Sequence, residues 1–189
     1  MDLNKFTTKS QEAIQQAQNL AESNGNQSIE TGHLLKGIFL VDQEVTPYLL
    51  GKLNVNPKIV ELTVDRIIDS YPKVSGGQIY LSQACNRVLQ YALSELKNFG
   101  DEYVSLELLV YSLLDATDSV GKLLKDNKIS KSTLKDAIMD LRKGQKVTSA
   151  GQEGTYKSLE KYAKNLNELA AAGKLDPVIG REQSCLIFC

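Results

Sequence analysis

The residues best suited to catalysis or metal binding are one histidine and three cysteines. No nucleophile is indicated near His33, and a general base needs a hydroxyl or thiol within hydrogen-bonding reach. Cys185 and Cys189 have C-x-x-x-C spacing without a second ligand pair, and Cys85 lies alone in a helical pattern. Zinc sites usually take four protein ligands, or three and a water. The sequence therefore predicts no catalytic centre and no metal site, and it predicts a helix-surface or helix-cap role for His33.

The residues of a phosphate-binding loop are also missing. The sequence contains no G-x-x-x-x-G-K-[ST] pattern. In nucleotide-hydrolysing enzymes the backbone amides and the lysine of this pattern hold the β- and γ-phosphates. We therefore expect these 189 residues to form a binding module, with no enzymatic activity and no cofactor of their own.

Charge and hydropathy exclude further classes of partner. The chain has 22 basic and 23 acidic residues, and a net charge of −1 gives no strong field to attract nucleic acid or an anionic membrane. No stretch approaches the roughly 20 apolar residues of a membrane span, and the first residues lack the pattern of a signal peptide. Three scattered cysteines favour a reducing environment. We expect a cytoplasmic protein with neither nucleic acid nor membrane as a partner.

The elements that must position any site are helices, because apolar residues recur every three to four positions along most of the chain. This spacing predicts helices over about 8–24, 31–41 and 45–53. A fourth helix is expected to begin at Asn56-Pro57, an N-cap followed by proline, and to end before Tyr71-Pro72. The fold class is therefore all-α.

The helical pattern then repeats. A shift of 75 residues aligns Thr7 with Ser82 as potential N-caps and aligns the apolar residues that follow, without a gap over about thirty residues. Later the shift falls by one, so that Asn56 aligns with Ser130. We interpret residues 6–71 and 81–142 as two copies of one four-helix unit. Packed together, they would bury both apolar stripes in one compact domain, residues 1–143.

The remaining residues differ in character. Residues 144–155 are polar and rich in Gly, Ser and Thr, which predicts a flexible linker. One extra helix is expected over 156–172, followed by an extended segment to 183. The final residues, SCLIFC (184–189), fit nothing before them and are expected to be a non-native or disordered tail.

Four stretches resemble one protein family. They are FTTKSQEAIQQAQNLA (6–21), IETGHLLKGI (29–38), the second copy around 81–109, and YAKNLNELAAAGKLDPVIGRE (162–182). Together they resemble the amino-terminal (Clp N) domain of ClpB-type AAA+ disaggregase chaperones, continued to the start of the first ATPase module. The resemblance covers residues 1–183. The sequences ETGH (30–33) and SLEL (105–108), and the long linker, favour ClpB over ClpC and ClpA.

The resemblance implies a larger machine around this chain. A full-length ClpB-type protein is a hexameric stress-response ATPase that uses ATP and Mg, threads aggregated polypeptide through its ring and cooperates with the DnaK system. Val178 and Ile179 resemble the family residues beside the adenine ring, but without the rest of that module they should not hold a nucleotide. We expect the chain itself to be monomeric.

The second copy has an additional apolar surface. At four aligned positions polar residues give way to apolar ones: Gln16, Gln18, Asn24 and His33 align with Tyr91, Leu93, Phe99 and Leu108. Leu108 falls off the helical stripe that its neighbours form, which predicts a shallow groove for extended, unfolded polypeptide. The alternative is packing against the other copy or against the third and seventh helices. The resemblance favours the groove, because Leu89 and Leu108 match hydrophobic positions of the family's substrate groove.

Three polar residues, Thr7, Asp101 and Glu107, match positions that the family uses in handling substrate. Each also has a structural explanation: Thr7 as an N-cap, Glu107 in a first helical turn and Asp101 in a turn after a glycine. The alternative function is an adaptor-docking or modified-residue-docking domain, as in ClpC- and ClpA-like unfoldases.

Overall fold

The computed structural model describes residues 3–74 and 77–152. The predicted helix at 156–172, Val178, Ile179 and the tail at 184–189 lie outside the described residues. The helices are α1 Thr8–Ser23, α2 Thr31–Val41, α3 Val45–Lys52, α4 Pro57–Asp69, α5 Gln83–Phe99, α6 Leu106–Leu113, α7 Ser119–Asp126 and α8 Lys131–Arg142. Two-residue strands, β1 Ser28–Ile29 and β2 Tyr80–Leu81, and a 3-10 turn at Leu3–Lys5 complete the described part. The all-α prediction, with four helices in each copy, is confirmed.

Equivalent residues begin and end the equivalent helices. Thr7 and Ser82 each cap their helix by accepting a hydrogen bond from the backbone N–H three residues later. Gly25 and Gly100 follow the same helices with left-handed backbone, at φ of 71° and 70°. A side chain would be strained at these angles, so glycine serves both copies. The repeat is therefore present in the capping residues as well as in the order of helices.

The two copies are linked by a reciprocal exchange of extended segments. Ile29 in β1 pairs in parallel with Leu81 in β2, and Phe6 forms a parallel bridge with Val104. The shift of 75 residues relates Phe6 to Leu81 and Ile29 to Val104. The segment before the first helix of each copy thus pairs with the segment before the second helix of the other. Among the described residues these short pairs are the whole of the β-structure.

Small residues let α1 and α2 pack closely beneath this exchange. A Cβ atom at Gly37 would lie 2.3 Å from the carbonyl oxygen of Ala13. Ala13, Ala17 and Ala21 are all buried along that face of α1. The apolar faces of both copies merge into one continuous core. Burial of this shared core stabilises the two units as one body, since removal of apolar area from water is the main favourable term in folding.

Residues 145–152, which we call the strap, lie against the domain. Consecutive left-handed residues, Lys143 at φ 48° and Gly144 at φ 80°, turn the chain back after α8. Val147 in the strap is fully buried. Residues 144–152 thus contact the domain, residues 153–155 lie outside the described part, and the flexibility of the linker stays a prediction. The polar composition predicts a segment without contacts to the domain. In the structure, the buried side chain of Val147 and several hydrogen bonds attach the strap to the domain.

His33 is a helix-cap residue, as the sequence predicts. Its Nδ1 accepts a hydrogen bond from the Glu30 backbone N–H at 3.0 Å, so Nε2 carries the proton and donates to Asn26 Oδ1 at 3.1 Å. The ring is fully buried and packs against Tyr71 with centroids 5.2 Å apart. Burial lowers the pKa of His33 below its usual value of 6.5, against an opposing effect of the Glu30 carboxylate. Protonation at Nδ1 would also break the cap.

This arrangement predicts that acid destabilises the domain before its carboxylates titrate. The unfolded chain binds a proton near pH 6.5 and the folded chain resists it, so the contribution of neutral His33 is complete above 6.5 and is lost as pH falls below it. Between pH 7.5 and 5.5 the free energy of unfolding should decrease by up to about 1 kcal/mol. Urea unfolding of the wild type and of His33→Gln measures this. The variant should lose the pH dependence, and an equal slope in both proteins would contradict the assignment.

Candidate functional site

A buried ion-pair cluster lies at the centre of the second copy. The Arg142 guanidinium donates from Nη1 to Asp101 at 2.7 Å and from Nε to Glu107 Oε1 at 2.9 Å. Its Nη2 donates to Ser105 Oγ at 2.9 Å. The side chains of Arg142 and its two carboxylate partners are almost completely excluded from solvent. Two of the residues predicted to handle substrate, Asp101 and Glu107, are thus brought together by a third residue that was not predicted.

Three different elements supply this cluster. Arg142 ends α8 on the buried face that also carries Leu134 and Ile138, four residues apart. Glu107 lies in the first turn of α6, and Ser105 is the N-cap residue of that helix. Asp101 follows the glycine that ends α5. The cluster therefore ties the end of α8 to the loop between α5 and α6.

The cluster has more acceptors than the described donors satisfy. Glu107 Oε2 is buried and has no hydrogen-bond partner among the described residues. The Phe99 ring lies 5.7 Å from the guanidinium carbon of Arg142, a distance at which a ring face attracts a cation. Buried ion pairs gain little net stability over apolar packing, but removal of one partner leaves an uncompensated charge. The arrangement is consequently sensitive to the loss of Arg142.

Thr7 lies next to the same loop, as the N-cap residue of α1. Its side chain is fully buried, accepts the Ser10 backbone N–H at 3.2 Å and donates to Ser10 Oγ at 3.0 Å. Its backbone N–H donates to the Val104 carbonyl at 3.0 Å. The N-cap explanation for Thr7 is confirmed, and its role towards substrate stays a prediction.

The strap hydrogen-bonds to this loop and to the start of α1. The Val147 N–H donates to the Asp101 carboxylate at 2.9 Å, and the Val147 carbonyl accepts from the Glu102 N–H at 2.9 Å. Further along, the Ala150 carbonyl accepts from the Thr8 N–H at 2.8 Å. Asp101 thus serves two partners at once, with one oxygen on the guanidinium and the other on the strap.

Leu89 and Leu108 do not form an open groove in this structure. Both side chains are fully buried in the continuous core. The expectation that Leu108 lies outside the core is wrong, because every residue of α6 from Leu106 to Leu113 is buried. A helix covered on all sides has no solvent face, so a position off the main stripe is still inside. The packing alternative describes these two leucines in the structure.

An open depression lies instead beside Tyr91, on α5. It has a volume of about 190 Å³ and is lined by Ala84, Arg87, Val88, Tyr91, Asp115 and Thr117. The Tyr91 hydroxyl accepts from Lys131 Nζ at 2.9 Å, and that ammonium also pairs with Asp115 at 2.6 Å. Leu93, the remaining predicted residue, is half-buried against the core and does not line the depression. The structure therefore separates Tyr91 from the other predicted apolar residues.

The described part of the chain offers neither a metal-binding group nor a reactive thiol. Within residues 3–74 and 77–152, no three His, Cys, Asp or Glu side chains are grouped so that they could hold a metal ion. Burial raises the pKa of the Cys85 thiol to about 12, which keeps it protonated and unreactive at neutral pH. None of the helices in the described ranges is long and apolar enough to cross a membrane.

Sequence reasoning missed two residues of this region, Arg142 and Val147. A signal for Arg142 was present, since it continues the spacing of Leu134 and Ile138 and therefore falls on a buried face. An arginine in such a position needs a buried carboxylate, and Glu107 and Asp101 were the available partners. Val147 is a single apolar residue in a polar segment, which gives no periodicity to detect.

Comparison with known proteins relates this chain to the amino-terminal part of chaperones. Residues 5–127 match the family of the Clp repeat (R) N-terminal domain. The chain is 51% identical over 183 residues to chaperone protein ClpB of Bacteroides thetaiotaomicron, covering 97% of this chain and 21% of that protein. It is 44% identical over 182 residues to ClpB of Porphyromonas gingivalis, covering 96% and 21%. The chain thus spans about a fifth of the length of these relatives.

Among solved structures, the fold is similar to the Hsp104 N-terminal domain from Candida albicans. The TM-score is 0.68 at 24% identity, and the match covers 77% of this chain and 97% of that one. At this identity the similarity concerns the fold, and it agrees with the two-copy helical architecture described above.

Replacement of Arg142 by alanine is expected to destabilise the domain strongly. It would leave Asp101 and Glu107 as buried carboxylates without their counter-charge, which should lower the free energy of unfolding by about 3–5 kcal/mol. The matched control is Arg66→Ala, at an exposed position in the last turn of α4, with an expected change below about 0.5 kcal/mol. Urea unfolding followed by circular dichroism measures both. Similar small losses would mean that the cluster is not a buried ion pair in solution.

Truncation of Leu108 or Leu89 to alanine is expected to behave as a core substitution. Each should cost about 2–5 kcal/mol through lost burial and the cavity left behind. Leu62→Ala, at a side chain 61% exposed on α4, is the control and should cost less than about 0.5 kcal/mol. The thermal midpoint reports the difference. A midpoint for Leu108→Ala close to that of the control would restore the open-groove interpretation.

Proposed function

This chain belongs to the Clp repeat N-terminal domain family, and from that premise we propose that it recognises unfolded or aggregated polypeptide for a ClpB-type protein disaggregase. The family is a non-catalytic domain found in chaperones named ClpB. The observation that carries the proposal is the match to ClpB along nearly the whole chain.

We propose that the longer protein supplies the parts that this chain lacks. A hexameric ATPase ring, working with ATP and Mg and with a DnaK-type chaperone system in the cytoplasm, would take clients from this domain. The domain would add a first, reversible contact with the client. This division of labour is consistent with the missing phosphate loop and with a chain that spans about a fifth of its relatives.

For the contact surface we propose the depression beside Tyr91. It combines the half-buried ring of Tyr91, the aliphatic side chains of Ala84 and Val88 and the charged residues Arg87 and Asp115. Aromatic side chains give large contact area at a low entropic cost, which suits a site for varied sequences. An open, shallow site binds weakly and releases readily, as a domain that passes clients onward requires.

The other predicted residues would act from beneath this surface. Leu89, in the turn of α5 that carries Val88, and Leu108, in the buried α6, would fix the position of α5 by packing. Leu93 would support the following turn. Asp101 and Glu107, through Arg142, and Thr7, through its cap, would hold the adjoining loop and the start of α1.

Removal of the Tyr91 ring should weaken client binding without unfolding the domain. We expect Tyr91→Ala to reduce affinity for reduced, carboxymethylated lactalbumin several-fold, because the variant loses apolar contact area and one of the two partners of Lys131. The matched control is Tyr80→Ala, which removes an exposed tyrosine outside the depression. Fluorescence anisotropy of the labelled client gives the affinities, and circular dichroism verifies the fold.

Two results would count against the proposal. Equal affinities of Tyr91→Ala and Tyr80→Ala would remove the depression as the contact surface. Binding of native, folded lactalbumin as tight as that of the denatured form would contradict recognition of unfolded chains and favour the adaptor-docking alternative.

A further inference from the structure

The strap presents its own backbone to the domain in the way an unfolded polypeptide could. Around Val147 the domain offers an acceptor, the Asp101 carboxylate, and a donor, the Glu102 N–H, to the backbone of a single strap residue. The Thr8 N–H offers a second donor to Ala150, three residues further on. A folded protein has already paired most of its backbone groups internally, so this pattern selects chains that have not.

The side chain of Val147 occupies a slot that is distinct from the main core. Val147 is fully buried, yet it does not belong to the continuous core cluster that the helices form. Its neighbours in the strap, Lys146, Thr148 and Ser149, are exposed. A polar segment held by one apolar side chain and a few backbone hydrogen bonds belongs to the parts of a protein that open most easily.

The residue of the first copy that aligns with Val147 is not buried. By the shift of 74 residues that relates the ends of the two copies, Val147 corresponds to Lys73, which is exposed. There Asn26, which aligns with Asp101, donates its side-chain N–H to the Pro72 carbonyl at 3.0 Å, so the side chain is the donor where Asp101 is an acceptor. Of the two aligned residues, only the one in the second copy is buried, and that copy also carries the depression beside Tyr91.

We infer that the slot of Val147 is a binding site for an extended polypeptide segment with a β-branched aliphatic side chain, and that the strap is its resident occupant. This inference rests on the proposed function, since it assigns the site a client of the same class. An incoming segment would replace the strap at Asp101 and Glu102 and insert its own side chain. The strap would thus reduce the apparent affinity for clients by the fraction of time that it occupies the slot.

The test uses the 189-residue chain and compares variants that release the strap with variants that retain it. Val147→Asp places a carboxylate in the slot beside Asp101, and Val147→Gly removes the anchoring side chain without adding charge. Ser149→Asp is the matched control, because it adds the same charge at an exposed strap position. Amide hydrogen exchange at Glu102 and Thr8 verifies release of the strap, and protection at Leu109 in α6 verifies the fold.

Two probes are titrated into each protein by fluorescence anisotropy. One is reduced, carboxymethylated lactalbumin, and the other is a labelled peptide with the sequence of residues 144–151, GQKVTSAG. We expect both probes to bind the two Val147 variants at least about tenfold more tightly than they bind Ser149→Asp or the wild type. The same peptide with aspartate in place of its valine should not bind.

The other outcomes separate this inference from the proposed function. If the strap is released and neither probe gains affinity, the inference is overturned, whereas binding of lactalbumin to the wild type would leave the proposed function standing. If the peptide gains affinity and lactalbumin does not, the slot recognises only the strap and clients do not use it. If lactalbumin binds none of the four proteins, the proposed function fails as well.

Discussion

The Arg142 guanidinium is the contact on which the second copy depends. It joins the last turn of α8 to the loop between α5 and α6 through three side chains at once. By holding Asp101 it also fixes Glu102 and Val104, the residues through which the loop receives the strap and the amino-terminal segment. Apolar residues could fill the same space with equal or better stability, so the charges are better explained by the geometry they impose. The guanidinium is planar and its N–H donors point in fixed directions, so the carboxylates that accept from it can take few positions.

The two copies share one arrangement of helices, but different kinds of hydrogen bond hold the loop after the first helix in each copy. In the first, the loop after α1 is held by neutral groups, with Asn26 bonded to His33 and to the Pro72 carbonyl. In the second, the equivalent loop is held by ionised groups around Arg142. The neutral Asn26 side chain needs no counter-charge. The Arg142 guanidinium needs one, and its partners connect α8, α6 and the loop after α5 in one network. The ionic network lies in the second copy, where we place polypeptide binding.

Much of the fold could be predicted from the sequence, because helical spacing and caps such as Thr7 and Ser82 are local signals. The reciprocal pairing of Phe6 with Val104 could not, since strands of two residues have no periodicity. The site was harder to predict. Prediction from helical spacing takes one face of each helix to be exposed to solvent. The described α6 has no exposed residue, so Leu108 was assigned to the surface although it is buried. Val147 is anchored by the shape of its surroundings, which no local pattern encodes.

The hydrogen bond between Thr8 and Ala150 places the entry and exit of the folded unit side by side. The first helix of the domain and the end of the strap are therefore neighbours, and residues 8–150 form a closed unit between them. Evolution can graft or excise such a unit without pulling apart two distant positions of its host.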